Sequence, residues 1–160
     1  MSFADEYRRT LGTFATGVTV VTFSHEGTDH GITVNSFASL SLDPPLVLWN
    51  CDVSASSHDL LPEAGHYAVN VLSVEQEWLS NRFAGEHKEM DDPFHDVDVT
   101  RAETGAPILD GSLSYVDCTV EETYDGGDHT ILVGRVEDLG VLDADAEPLV
   151  FYEGQYRSLE

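Results

Sequence analysis

At 160 residues the chain fits a single domain spanning 1–160, long enough to bury roughly 70% of the surface its unfolded form exposes. Thirty acidic residues against seven basic ones give a net charge of −23, which repels nucleic acid and anionic lipid and argues against both as partners. No apolar run approaches the roughly 18 residues of a membrane span, and the start MSFADEYRRT lacks a signal-peptide core, so a cytoplasmic protein is expected.

Phe3, Tyr7 and Leu11 recur at helical spacing and predict a short amphipathic helix over 3–11 that ends near Gly12. The β-branched run 17–23 predicts a strand, and the polar stretch 25–31 a turn into the next one. That second strand breaks into Thr33, Asn35, Ser36, Ser39 and Ser41. The chain then turns at Asp43-Pro44-Pro45 and returns as the apolar run Leu46 to Trp49. Hydroxyl and amide side chains compete for backbone hydrogen bonds and favour turns and caps over strand interiors. Crowded between two apolar strands, they predict a polar rim suited to a flat heteroaromatic ligand; a loop that satisfies its own backbone is the other reading.

Further along, 54–61 reads as a helix opened by hydroxyl caps, with Pro62 and Gly65 near its end. Residues 67–72 form a strand and 74–84 an amphipathic helix. Residues 107–111 read as a turn. Leu113 to Tyr124 alternates apolar and polar residues, 126–129 makes a tight corner, and 130–136 runs back antiparallel. Leu149 to Tyr152 closes the set. About six mostly antiparallel strands with a few short helices argue for a β-barrel over a doubly wound α/β sheet. Neither GxGxxG nor GxxxxGK[ST] occurs, so a nucleotide must be held in another way.

Cys51 and Cys118 stand far apart with no metal spacing and read as reduced core residues. The histidines at 25, 30, 58, 66, 87 and 95 show no ligand spacing and read as surface residues, while Trp49 and Trp78 read as core or interface aromatics. The acidic residues are spread along the chain. Self-repulsion of that size destabilises a compact state at low salt and fades near 1 M, where the Debye length is about 3 Å. A salt-rich cytoplasm, as in a halophilic microbe, is the expectation.

The segment 10–22, TLGTFATGVTVVT, resembles the opening of the flavin reductase family with the FMN-binding split-barrel fold. Residues 33–46 resemble its flavin segment, and 68–72, Phe83-Ala84, 127–130 and 148–151 follow in the family's order. The resemblance covers nearly the whole chain. It implies an antiparallel, Greek-key-like split β-barrel with a few short helices. It also implies a homodimer that binds FMN, or FAD in some members, and takes hydride from NADH or NADPH. Many such proteins release reduced flavin to a partner monooxygenase. Hydride transfer between two cofactors needs no protein nucleophile or metal, which suits a chain lacking both motifs.

The resemblance also assigns residues. Thr33, Val34, Asn35 and Ser36 match the stretch lining the isoalloxazine, with Ser39 near the ring edge and Asn50 and Cys51 at the end of the next strand. Ser54, Ser56 and Ser57 are candidates for the phosphate, although relatives often carry Arg or Lys there. The grip would then rest on hydrogen bonds or on Arg82, before Phe83 and Ala84, with a solvated surface charge the plainer reading of that arginine. His129 is placed on the nicotinamide side, where an imidazole can bond the carboxamide or the pyrophosphate; a turn histidine satisfied by Asp128 is the plainer reading. Tyr152 and Tyr156 are assigned near the ligand or the partner subunit. A flavoprotein that keeps its FMN and passes electrons onward (to ferric iron, for example), a non-catalytic flavin-binding domain and a cofactor-free interaction module remain open.

Overall fold

The computed structural model describes residues 1–159. In chain order the elements are α1 (Phe3–Leu11), β1 (Thr16–Gly17), β2 (Thr19–His25), β3 (Thr28–Val34), β4 (Ala38–Ser41), β5 (Leu46–Asp52), α2 (Leu60–Ala64), β6 (His66–Val71), α3 (Glu77–Phe83), β7 (Val99–Arg101), β8 (Pro107–Leu109), β9 (Ser114–Gly126), β10 (His129–Val141), β11 (Val150–Tyr152) and β12 (Gln155–Arg157). Every strand pairing is antiparallel. The main sheet runs β3-β2-β6-β9-β10-β5-β4, beside a three-stranded sheet β1-β11-β12 and the hairpin β7-β8. The edge strands β3 and β4 do not pair with each other, which leaves the barrel split between them. The connection across that gap is the polar stretch Asn35–Phe37.

β2 shows why residues 18–23 are buried without a break. Successive side chains of a strand point to opposite faces. Val21 and Phe23 enter one core with Trp49, Tyr67 and Leu132, while Val18 and Val20 enter a second with Leu72, Leu79, Phe83 and Leu109. A strand covered on both faces has no polar side to alternate with.

Local chemistry explains where the elements depart from expectation. α1 forms as predicted, begun by a capping box in which Ser2 Oγ accepts from the Asp5 N–H at 3.1 Å. The predicted helix 54–61 is instead a series of turns, and α2 begins only at Leu60. Asp52 Oδ1 accepts both the Ser54 N–H at 2.8 Å and the Ser54 hydroxyl at 2.7 Å, which turns the backbone away from a helix. The turn at 25–31 shrinks to Glu26-Gly27, both at positive φ, joining β2 and β3 as a tight hairpin. Residues 107–109, read as a turn, are a strand because β7 supplies a partner and the Leu109 N–H donates to buried Asn70 Oδ1 at 2.9 Å. β9 and β10 reach thirteen residues each, longer than predicted, because each supplies the other's backbone partners to its end. The hairpin β11-β12, closed at Glu153-Gly154, adds a strand that no periodicity had marked.

Candidate functional site

The polar stretch is anchored to β5 by one hydroxyl. Ser36 Oγ donates to the Asn50 carbonyl at 3.2 Å and accepts the Asn50 N–H at 3.0 Å. Two cavities meet at this point. One, of about 860 Å³, is lined by Tyr7, Arg8, Phe14, Thr16, Asn35, Ser36, Phe37 and Phe151 among others. The second, of about 740 Å³, is lined by Phe3, Tyr7, Arg8, Ser36, Asn50, Asp52, Asp128, His129 and Ile131. Tyr7, Arg8 and Ser36 border both.

The floor of the second cavity follows from strand register. His129 lies opposite Asp52 and Ile131 opposite Asn50 across the β10-β5 ladder, so alternate residues of both strands share one face. His129 Nδ1 lies 2.8 Å from Asp128 Oδ1, and its side chain stays 42% exposed, so the imidazole is both oriented and reachable. The hydrogen bonds from Ser54 hold the Asp52 carboxyl below the usual carboxylate range, with His129 a smaller contribution.

A smaller cavity of about 180 Å³ holds Thr33, Val34, Asn35, Ser80, Ala84, Phe151 and Tyr156. It meets the largest one at Asn35 and Phe151. Thr33 Oγ1 is already committed to the Ser80 carbonyl at 2.7 Å. Tyr152 lines a further hollow of about 620 Å³ with Tyr156 and Arg157, which meets the largest cavity at Ala15 and the small one at Tyr156.

The structure therefore gathers Asn35, Ser36, Asn50 and His129 around two joined cavities, with Thr33, Val34 and Ala84 on the adjoining small one. Other assignments change. Cys51 is wholly buried in the core, and its burial and then Asp52 push the thiol up to about 11. Burial and then Asp117 push Cys118 up to about 12. Both should resist iodoacetamide in the folded protein at pH 8 and react only once it unfolds, which mass spectrometry would read. Phe83 is core as well, its ring packed on Gly31 so closely that a Cβ there would lie 2.8 Å from it.

Arg82 lines none of these cavities, and its Nη1 is already engaged. It donates to the carbonyls of His95 at 2.9 Å and Pro93 at 3.3 Å and lies 5.0 Å over the Trp78 ring. Ser54 is spent on Asp52, Ser57 is buried, and Ser39 and Ser56 are exposed away from these cavities. Of the six remaining histidines only His95 is exposed. His66 accepts from the Ser24 N–H, and His58 Nε2 lies 2.7 Å from Thr130 Oγ1. Residues that sequence reasoning missed lie mainly on and after α1: Tyr7, Arg8, Phe14 and Thr16. The scarcity of cations was the available signal, since Arg8 is one of only seven.

The flavin reductase like domain matches residues 11–160 of the chain. The chain belongs to that family. HsaB, the reductase subunit of a flavin-dependent monooxygenase of Mycobacterium tuberculosis (strain ATCC 25618 / H37Rv), is 41% identical over 155 residues, covering 96% of this chain and 81% of that protein. An NADH-dependent flavin reductase of Rhodococcus sp is 43% identical over 158 residues, covering 96% of this chain and 85% of its own. Among solved structures, the NADH:FAD oxidoreductase SgcE6 of Streptomyces globisporus C-1027 superposes with a TM-score of 0.93 at 37% identity, covering 99% of this chain and 95% of that one. A second SgcE6 structure, in complex with NAD and FAD fragments, has a TM-score of 0.92 at 36% identity, covering 99% of this chain and 93% of that one.

The cavities of this flavin reductase like domain fit a flavin on their own chemistry. Aromatic faces at Tyr7, Phe14, Phe37 and Phe151 suit a flat ring, and Asn35 and Ser36 offer polar groups at one edge. The Thr16 hydroxyl on the same wall is buried and has no hydrogen-bond partner in the protein. Buried polar groups are normally paired, so this orphan is a candidate ligand contact once its side chain turns toward the cavity.

Proposed function

We propose that this chain is an NADH-dependent flavin reductase that supplies reduced FMN or FAD to a partner monooxygenase. The observation that carries this reading is the meeting of an aromatic, hydroxyl-edged cavity with a His129-lined one at Ser36, within a chain of the flavin reductase family. Bound nicotinamide and flavin supply the hydride donor and acceptor. The protein's part is positional. Asn35 and Ser36 face the flavin edge, the aromatic side chains offer the ring a stacking surface, and His129 holds the nicotinamide end. The test is anaerobic mixing with FMN or FAD and NADH or NADPH at high salt, followed by loss of the flavin's visible absorbance. Rates that saturate in added free flavin support release to a partner; a colour that copurifies with the protein and a rate independent of added flavin indicate a retained cofactor. No reduction with any pairing overturns the reading.

The same reading includes assembly into a homodimer. α1 buries none of its residues, and Phe3 and Phe14 are 79% and 76% exposed, an apolar surface that a second copy would cover. Sedimentation to the mass of two chains is the expected result. No helix among the described residues is long and apolar enough to cross a membrane. A salt-rich cytoplasm fits the charge, because the only Lys or Arg to carboxylate pairs among the described residues are Arg8–Asp5 and Arg101–Asp29. Most carboxylates therefore repel one another unneutralised. Raising KCl from about 0.1 M to about 2 M should lift the melting temperature by about 10 °C. An unchanged melting temperature would remove the halophilic reading.

A further inference from the structure

We infer that Arg8 and the Thr16 hydroxyl form the phosphate-binding end of the ligand site, on a wall that the family's flavin segment does not include. Arg8 precedes residues 11–160, where the family match begins, and the inference rests on the flavin reductase reading. Three observations converge on it. Among the described residues Arg8 is the only charged side chain lining the larger of the two joined cavities, and it also borders the second. Its one salt-bridge partner among the described residues is Asp5 at 3.9 Å, and both side chains are mostly exposed, so its fork of donors remains available. Thr16 lines the same cavity with a buried hydroxyl that nothing in the protein satisfies.

The alternatives for a phosphate are poorer. The second cavity carries the carboxylates of Asp52 and Asp128, which repel an anion. Arg82 is held by two carbonyls, and Arg101 is locked onto Asp29 through bonds of 2.6 and 2.8 Å. A guanidinium presents paired donors that match phosphate oxygens, and a threonine hydroxyl can donate a further bond. In a chain of net charge −23, one correctly placed cation has to overcome a repulsive surface before any dianionic ligand can settle. The shared ligand chemistry is a phosphate ester, carried by the flavin or by the dinucleotide.

The test uses Arg8→Ala, Arg8→Lys and Thr16→Val in the full chain, with riboflavin and FMN titrated by fluorescence and steady-state kinetics with NADH and with dihydronicotinamide riboside, which lacks phosphate. If the flavin supplies the phosphate, R8A weakens FMN at least about tenfold, leaves riboflavin within twofold, and R8K recovers part of the loss. If the dinucleotide supplies it, the FMN-to-riboflavin ratio holds, while the KM for NADH rises about tenfold and that for the riboside does not. T16V should shift the same ratio in the same direction by a smaller factor. Sedimentation of each variant checks assembly; if R8A disturbs it, T16V alone decides. Variants whose phosphate preference equals that of the wild type overturn the inference while leaving the reductase reading intact. A wild type that neither binds nor reduces any flavin overturns both.

Discussion

Replacing His129 with alanine raises the KM for NADH by about tenfold or more and leaves the flavin dissociation constant within a few-fold. The imidazole sits at the start of β10, opposite Asp52, on the wall of the cavity that adjoins the aromatic one. Asp128 fixes its Nδ1 at 2.8 Å, which leaves Nε2 as the atom able to reach a ligand. With Nδ1–H given to Asp128, Nε2 accepts from the carboxamide N–H; leaving that donor unmet costs roughly 1–3 kcal/mol, and each 1.4 kcal/mol is a factor of ten. The flavin contacts lie across the Ser36 junction and are not touched by the change. Stopped-flow reduction at varied NADH, alongside flavin titration, separates the two effects. Equal losses in both would make His129 a part of the barrel's structure and not of the nicotinamide side.

Gly134→Ala lowers stability by about 3 kcal/mol, the upper end of what overpacking usually costs, and the melting temperature by about 6–12 °C. Gly134 lies in the middle of β10, against fully buried Tyr67 and Cys118. A Cβ at this position would stand 2.7 Å from Tyr67 Cζ and 2.9 Å from Cys118 Cβ, closer still to the phenolic oxygen, and none of these atoms can retreat to solvent. Tyr67→Phe alone should change stability little, because the buried hydroxyl approaches Trp49 and Cys118 but makes no hydrogen bond of good geometry. Combined with Gly134→Ala it should recover part of the loss, so the pair is non-additive. Thermal unfolding of the four proteins reads this directly. Additive effects would mean that β10 shifts as a whole and the ring is not what it strikes.

The legible parts of the fold were those where one residue type has one strong preference. The spacing of Phe3, Tyr7 and Leu11 and the capping Ser2 mark α1 without help from the rest of the chain. The β-branched run at 18–23 has no stable alternative to a strand. Segments with two local solutions were misread. Asp52 and Ser54 could cap a helix or close a turn, and the side-chain bond to Asp52 chose the turn. Pro107 to Leu109 forms a strand only because β7 lies beside it.

The candidate site divides in the same way. The crowding of hydroxyl and amide groups at 33–41 made Asn35 and Ser36 candidates in the primary sequence, the glycine-bordered corner and the family resemblance added His129, and the fold sets all three on the two joined cavities. Arg82, Phe83 and Cys51 carry suitable chemistry in one dimension, but each is consumed by a carbonyl or a core in three. The place of Arg8 on the cavity wall depends on how α1, which buries nothing of its own, lies beside wall residues as distant in sequence as Phe151. Sequence determined the mainly β class, the family and the acidic surface, because composition, periodicity and motif order are local properties. Tertiary structure decided which cation stays free and which hydroxyl stays unpaired, because satisfaction of a polar group depends on every neighbour that folding brings to it.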